Sequence, residues 1–180
     1  MELVEGRPQD KRIDKEERVY DLLDQLNIDY QRIDHEEANT MEVCLEIEKT
    51  LKSTICKNLF LVNSNKSQYY LLMLKENKKF KTKEISSQIH SARLSFAPAE
   101  KMEEYLDILP GSVSVLGLMN DKEHQVQLLV DEDVLNAEYP VTNNIITVET
   151  STVNIIGFFI IIFGFSLTND CFKLSITCSF

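Results

Sequence analysis

Ser53 to Leu61, STICKNLFL, constrains the fold most tightly, because it sets a lysine at the mouth of an apolar run. Lys57 is followed by Asn58 and then by Leu59, Phe60, Leu61 and Val62. Such side chains crowded between polar flanks read as a buried strand of about six residues. A lysine there is costly to bury unless it snorkels to water or meets an anionic partner. On a strand its ammonium has little freedom, which suits holding a carbonyl, carboxylate or phosphate at a pocket edge. The plainer alternative is a lysine that only marks the strand entrance.

The neighbouring segments supply partners for that strand. Strands are expected over Cys56–Val62 and Gln68–Leu74, joined by Asn63-Ser64-Asn65-Lys66-Ser67, a turn-rich link typical of a hairpin. Upstream, residues 1–13 are charged and read as a frayed lead-in. Asp14 then caps a helix, with Glu17 three residues on as in a capping box. Val19, Leu22, Leu23 and Leu26 form its apolar stripe. Tyr30 to Ile33 reads as a short strand, and Thr40 can cap a helix over Met41–Ile47. Downstream come a helix over Lys83–Ile89, a strand over Arg93–Phe96 and a helix over Ala99–Leu106, with Pro98 suited to its first turn. Gln125–Val130 alternates as a strand, and Asp131-Glu132-Asp133 reads as the cap of a short turn.

The 180 residues suit one domain with a sizeable core. A net charge of −10 argues against a protein that grips nucleic acid over a broad basic face. A local basic patch touching an RNA end remains open. Lys75, Lys78, Lys79, Lys81 and Lys83 are five lysines within nine residues, against one glutamate. They are either a solubilising loop or a landing site for RNA phosphates. Cys44, Cys56, Cys171 and Cys178 show neither a CxxC pair nor zinc spacing, so buried free thiols in a reducing cytosol are expected. The polar start, MELVEGRPQDKR, lacks an apolar signal core and points to a cytoplasmic protein.

Leu109 to Leu118, LPGSVSVLGL, is the second stretch with chemical content. Gly111 permits a tight backbone approach that a side chain would block. The N–H groups of Gly111 and Ser112 can face a developing oxyanion. The alternative is an ordinary glycine turn between helix and strand. No Ser-His-Asp or Cys-His constellation is visible, and no metal-ligand cluster.

ICKNLFLVN, QYYLLML, RLSFAPAE, LPGSVSVLGLMND and QVQLLVDEDV, in that order, resemble the YbaK/ProX family of aminoacyl-tRNA deacylases, which includes the editing domain inserted in many bacterial prolyl-tRNA synthetases. The resemblance spans Glu16 to Thr150. It implies an α/β (α+β) fold, a mixed curled sheet with helices packed around it, over residues 14–150, between the lead-in 1–13 and an atypical tail at 151–180. It also implies hydrolysis of the ester joining a wrong amino acid to tRNA. The KNLFL wording is closest to free-standing members that clear alanine from tRNA(Pro). The alternatives are clearance of Cys-tRNA(Pro), or a non-catalytic module that binds tRNA or a synthetase.

In this reading Lys57 anchors the carbonyl or the terminal phosphate, and the Gly111 and Ser112 N–H groups hold the developing charge. His35, Thr40, Asn58, Tyr139 and Asn143 border the substrate, while Lys75, Lys78, Lys79 and Lys81 meet the tRNA. No cofactor and no metal is expected. The expected partners are the tRNA(Pro) acceptor end and prolyl-tRNA synthetase, not DNA or a membrane. Two positions depart from the family pattern: Val115 where relatives usually carry proline, and Tyr139 where they usually carry histidine. The tail departs more strongly, with eleven residues from Ile155, IIGFFIIIFGF, in place of a charged amphipathic helix. They are too few to span a bilayer. A buried terminal helix, a β-prone segment and an altered reading frame at the gene's end all account for them.

Overall fold

The structure is a computed structural model that describes residues 2–34, 42, 46, 49–50, 56–135 and 145–148. The described residues fall into two compact units, one before Thr54 and one after it.

In the first unit, β1 (Leu3–Glu5) pairs antiparallel with β2 (Gln31–Ile33), and α1 (Asp14–Gln25) lies between them in sequence. The expected frayed lead-in therefore holds a strand. Arg7 fastens it, donating from Nη1 to Asp21 and Asp24 at 2.8 and 3.0 Å and pairing through Nη2 with Glu17. The helix start also differs from expectation. Ile13 is the cap residue, without a side-chain bond. Glu17 instead accepts from the Arg12 N–H at 2.9 Å, so its carboxylate serves the chain just outside the helix.

The second unit is a mixed five-stranded sheet in the order β5-β3-β4-β6-β7. Its strands are β3 (Cys56–Asn63), β4 (Tyr69–Lys75), β5 (Leu94–Phe96), β6 (Val126–Asp131) and β7 (Ile145–Val148). β3 and β4 form the expected hairpin, with Asn58 opposite Met73 and Leu61 opposite Tyr70. Beyond it, β4 pairs parallel with β6, and the other neighbours are antiparallel. β4 is central, and its YYLLML run is buried without alternation because both faces of the sheet are covered.

The two faces have separate cores. On one, Phe60, Val62, Leu71, Met73, Leu128 and Val130 pack with Met102 and Leu106 of α3 (Ala99–Leu106). On the other, Leu61, Leu72, Leu74, Leu94 and Leu129 pack with Ile85 of α2 (Thr82–Gln88). Burial of each such side chain contributes roughly 1.5–3 kcal/mol. A 3-10 turn at Val115–Asn120 and the short α4 (Glu132–Leu135) complete the unit.

Candidate active site

Side chains alternate along a strand, so Lys57 and Asn58 leave opposite faces of β3. Lys57 shares its face with Leu59 and Leu61, under α2. Asn58 shares its face with Cys56, Phe60 and Val62, under α3. Each docks on a turn. Lys57 Nζ donates to the carbonyl of Glu76 at 3.1 Å and to that of Lys78, in the turn after β4. Asn58 Nδ2 donates to the carbonyl of Val113 at 2.9 Å. Because a carbonyl only accepts, that bond fixes the orientation of the amide. Asn58 Oδ1 is then buried with no partner in the structure, an open acceptor beside the 109–113 turn.

That turn follows from its sequence. Pro110 and Gly111 take the two central positions, Gly111 has φ +98°, and the Ser112 N–H donates to the Leu109 carbonyl at 3.1 Å. Proline followed by a positive-φ glycine is the type II pattern. Two expectations change here. The Ser112 N–H closes the turn and is therefore not presented to an oxyanion. Gly111 is needed for its backbone conformation, since a Cβ there would meet nothing within 4 Å. The close approach is made instead by Gly117, where a Cβ would lie 2.3 Å from Ile108 Cδ1 and 3.1 Å from the Leu106 carbonyl oxygen. Val115, where relatives usually carry proline, opens the 3-10 turn after Ser114, whose Oγ accepts from the Leu116 N–H at 3.2 Å. The first position of a helical turn suits either residue.

The lysine run is divided by its environment. Lys78 Nζ lies 2.7 Å from carboxylate oxygens of both Asp131 and Asp133. The two aspartates are buried, and the Asp133 N–H donates to Asp131 Oδ1 at 3.0 Å. Burial alone would lower the Lys78 pKa, but its bonds to the two aspartates outweigh this and raise it. Lys78 is thus a clamp between the turn and the end of β6, not a side chain open to an RNA phosphate. Lys79 and Lys81 are exposed, and Lys81 pairs with Glu84 at 3.0 Å on the surface. Lys75 ends β4 at partial exposure.

Asp131-Glu132-Asp133, which reads from sequence as a turn cap, thus supplies both carboxylates of a clamp that sequence reasoning misses. The available signal is an aspartate directly continuing the apolar run LLV, since a buried carboxylate needs a cation. Cys56, beside Lys57, is half-buried, and that burial pushes its thiol pKa up. It is therefore a protonated packing residue at neutral pH. His35, Thr40, Tyr139 and Asn143 lie outside the described residues, as do the expected helix Met41–Ile47 over most of its length and the tail 151–180. Among the described residues no helix is long and apolar enough to cross a membrane.

A model of the aminoacyl-tRNA editing domain matches residues 35–155. The chain belongs to the aminoacyl-tRNA editing domain family. The resemblance carried by ICKNLFLVN and the blocks after it is thereby borne out, and the activity class is aminoacyl-tRNA deacylation. The prolyl-tRNA editing protein ProX of Acetoanaerobium sticklandii is 32% identical over 123 residues, covering 68% of this chain and 75% of the relative. The prolyl-tRNA synthetase associated domain-containing protein 1 of Danio rerio is 25% identical over 138 residues, covering 73% and 74%. Among solved structures, that of the hypothetical protein APE2540 overlaps with a TM-score of 0.43 at 17% identity, covering 62% of this chain and 75% of that one.

Proposed function

We propose that the chain acts in trans to hydrolyse the ester of Ala-tRNA(Pro). The observation that carries this reading is the pair of adjacent residues at the start of β3, each docked on its own turn. Lys57 presents a cation among the carbonyls of the lysine-rich turn. Asn58 presents an amide acceptor beside the Gly111 turn. The cationic side suits the terminal phosphate of the acceptor end. The neutral side suits the aminoacyl ester, with the Gly111 N–H as donor to the carbonyl oxygen as it gains charge. In this reading His35, Thr40, Tyr139 and Asn143 contact the substrate, and Lys75, Lys79 and Lys81 meet the RNA backbone.

An aminoacyl ester is already activated. Water adds to its carbonyl carbon, assisted by the neighbouring ribose hydroxyl. The bond to the ribose oxygen then breaks, leaving free alanine and an intact tRNA end. A small pocket is needed because a synthetase site shaped for proline rejects a smaller side chain by only about 1–3 kcal/mol. The relative named as a prolyl-tRNA editing protein supports the tRNA(Pro) assignment. Prolyl-tRNA synthetase, the source of the mischarged product, is the protein partner in this reading.

Release of the amino acid from Ala-, Cys- and Pro-tRNA(Pro) tests the proposal. Ala-tRNA(Pro) should be cleared fastest and Pro-tRNA(Pro) spared. A preference for Cys-tRNA(Pro) would overturn the alanine assignment, and three intact substrates would remove deacylation of tRNA(Pro) altogether. Neutralising Lys79 and Lys81 together should flatten the salt dependence of tRNA binding, by up to about 0.7 in log–log slope for each single-stranded phosphate that no longer meets a cation. An unchanged slope would make this segment a solubilising loop.

A further inference from the structure

Phe96 is 65% exposed, the most exposed of the large hydrophobic side chains among the described residues. It lies on the edge strand β5, opposite Leu61 of β3. Leu94, two residues earlier on the same face, is fully covered in the core beneath α2. Phe96 lies past that cover. Its ring meets the ring of Phe80, with centroids 5.7 Å apart and planes tilted by 51°. Phe80 stands between Lys79 and Lys81 in sequence, and both lysines are exposed. The Lys81–Glu84 pair is a surface contact, weak enough for a phosphate to replace. Residues 75–96 carry six lysine and arginine side chains against two glutamates, in a chain of net charge −10. The exposed aromatic therefore sits in the one stretch whose charge suits a polyanion.

Strand parity puts Phe96 on the Lys57 face of the sheet. Leu61 and Lys57 are four residues apart on β3, about 13 Å at 3.3 Å per residue.

We propose that Phe96 and Phe80, flanked by Lys79 and Lys81, form a stacking platform for unpaired bases of the RNA acceptor end, behind the nucleotide whose phosphate meets Lys57. A ring open on one side with cations beside it is the pattern by which proteins hold single-stranded nucleic acid without reading its sequence. The platform rests on the RNA-end reading given above. It assigns to β5 the task of holding the strand while the ester reaches the Gly111 turn.

Binding of an unacylated RNA hairpin with a single-stranded 3′ tail tests it, against the same hairpin with the tail removed. Phe96→Ala should weaken binding of the tailed hairpin about tenfold, within the range for loss of one base–aromatic stack. It should leave the tail-less hairpin unaffected. Phe96→Trp should restore tail binding, and thermal unfolding of both variants should match the parent because the ring is mostly in water. Equal affinity of the alanine variant for the tailed hairpin would overturn the platform. So would loss of prolyl-tRNA synthetase binding with RNA binding unchanged, which would make Phe96 a protein contact. If the parent shows the tail effect but deacylates no tRNA(Pro), the platform stands and the proposed activity fails. If it deacylates and Phe96 proves irrelevant, the reverse holds.

Discussion

The turn after β4 and the turn at Leu109–Val113 are docked by successive residues of one strand, yet they are built on opposite principles. The first is charged and held from outside. Lys78 ties it to two buried aspartates, and Lys57 bonds two of its carbonyls. The second is neutral and held from within. A proline, a positive-φ glycine and the Ser112 bond to Leu109 form it locally, and Asn58 adds one bond from β3. The pleat of β3 is what separates them: one residue step moves from the face docked on the charged turn to the face docked on the neutral one. The first turn depends on contacts more than fifty residues away in sequence, whereas the second depends mainly on four adjacent residues. Substitutions should therefore break the two in different ways.

The largest effect is expected at the clamp. Lys78→Ala leaves two buried carboxylates without their ammonium, and breaking such a pair costs about 3–5 kcal/mol. Chemical denaturation should show that loss. Replacing Lys78 by Met together with Asp131→Asn and Asp133→Asn should recover most of it, since no buried charge is then orphaned. The pH dependence has a definite sign. A lysine whose pKa is raised on folding contributes its full stability below the unfolded value near 10.4 and loses it as pH rises through the folded value. The parent should lose stability in that alkaline window, and Lys78→Ala should lack this component. A flat comparison of the two proteins above pH 10 would show that the clamp carries no linked proton.

Next comes Lys57→Ala, which removes the cation and leaves the clamp in place. Removing one preorganised charge interaction typically lowers a rate about 10²–10³-fold. Deacylation of Ala-tRNA(Pro) should fall by that factor while unfolding stays close to the parent's. A folded variant with parental turnover would move the cationic role away from Lys57.

These two lysines also show what the sequence could and could not convey. Local pattern sufficed for the hairpin: expected Cys56–Val62 and Gln68–Leu74 became Cys56–Asn63 and Tyr69–Lys75. Helix Ala99–Leu106 appears over the residues expected, because its start at Pro98 and its apolar spacing are local facts. The lysine at the mouth of β3 was legible for the same reason, as a charge where charge is expensive. The parallel pairing of β4 with β6 was not, since both strands are simply apolar runs and register depends on the whole sheet. Lys78 looked like its neighbours in an exposed run, and only the fold brings Asp131 and Asp133 to it. β1 was hidden because a three-residue strand in a charged stretch has no periodicity to detect.

A smaller effect tests the locally built turn. Gly111→Ala introduces a Cβ into open space, so the cost is conformational only. Placing an L-residue in left-handed backbone costs about 1–2 kcal/mol. Thermal unfolding should show a loss of that size. If the Gly111 N–H supports the ester carbonyl, kcat should fall while the KM for tRNA changes little. A fall in stability with kcat unchanged would leave Gly111 as a turn residue alone.

The smallest effect is expected at Cys56, which adjoins Lys57 in sequence but belongs to the Asn58 face. Its thiol is packed against the core that includes Phe60 and Val62, and burial raises its pKa. A nucleophilic cysteine needs the opposite shift, toward thiolate at working pH. Cys56→Ala should therefore keep the deacylation rate within about twofold and lower stability slightly through poorer packing, well below the cost of the Lys78 change. Iodoacetamide at neutral pH should modify the folded parent slowly and leave its activity intact. Rapid inactivation by the reagent, reproduced as a rate loss in Cys56→Ala, would place a thiolate in the chemistry and replace hydrolysis assisted by the ribose hydroxyl with nucleophilic catalysis on the Asn58 side of β3.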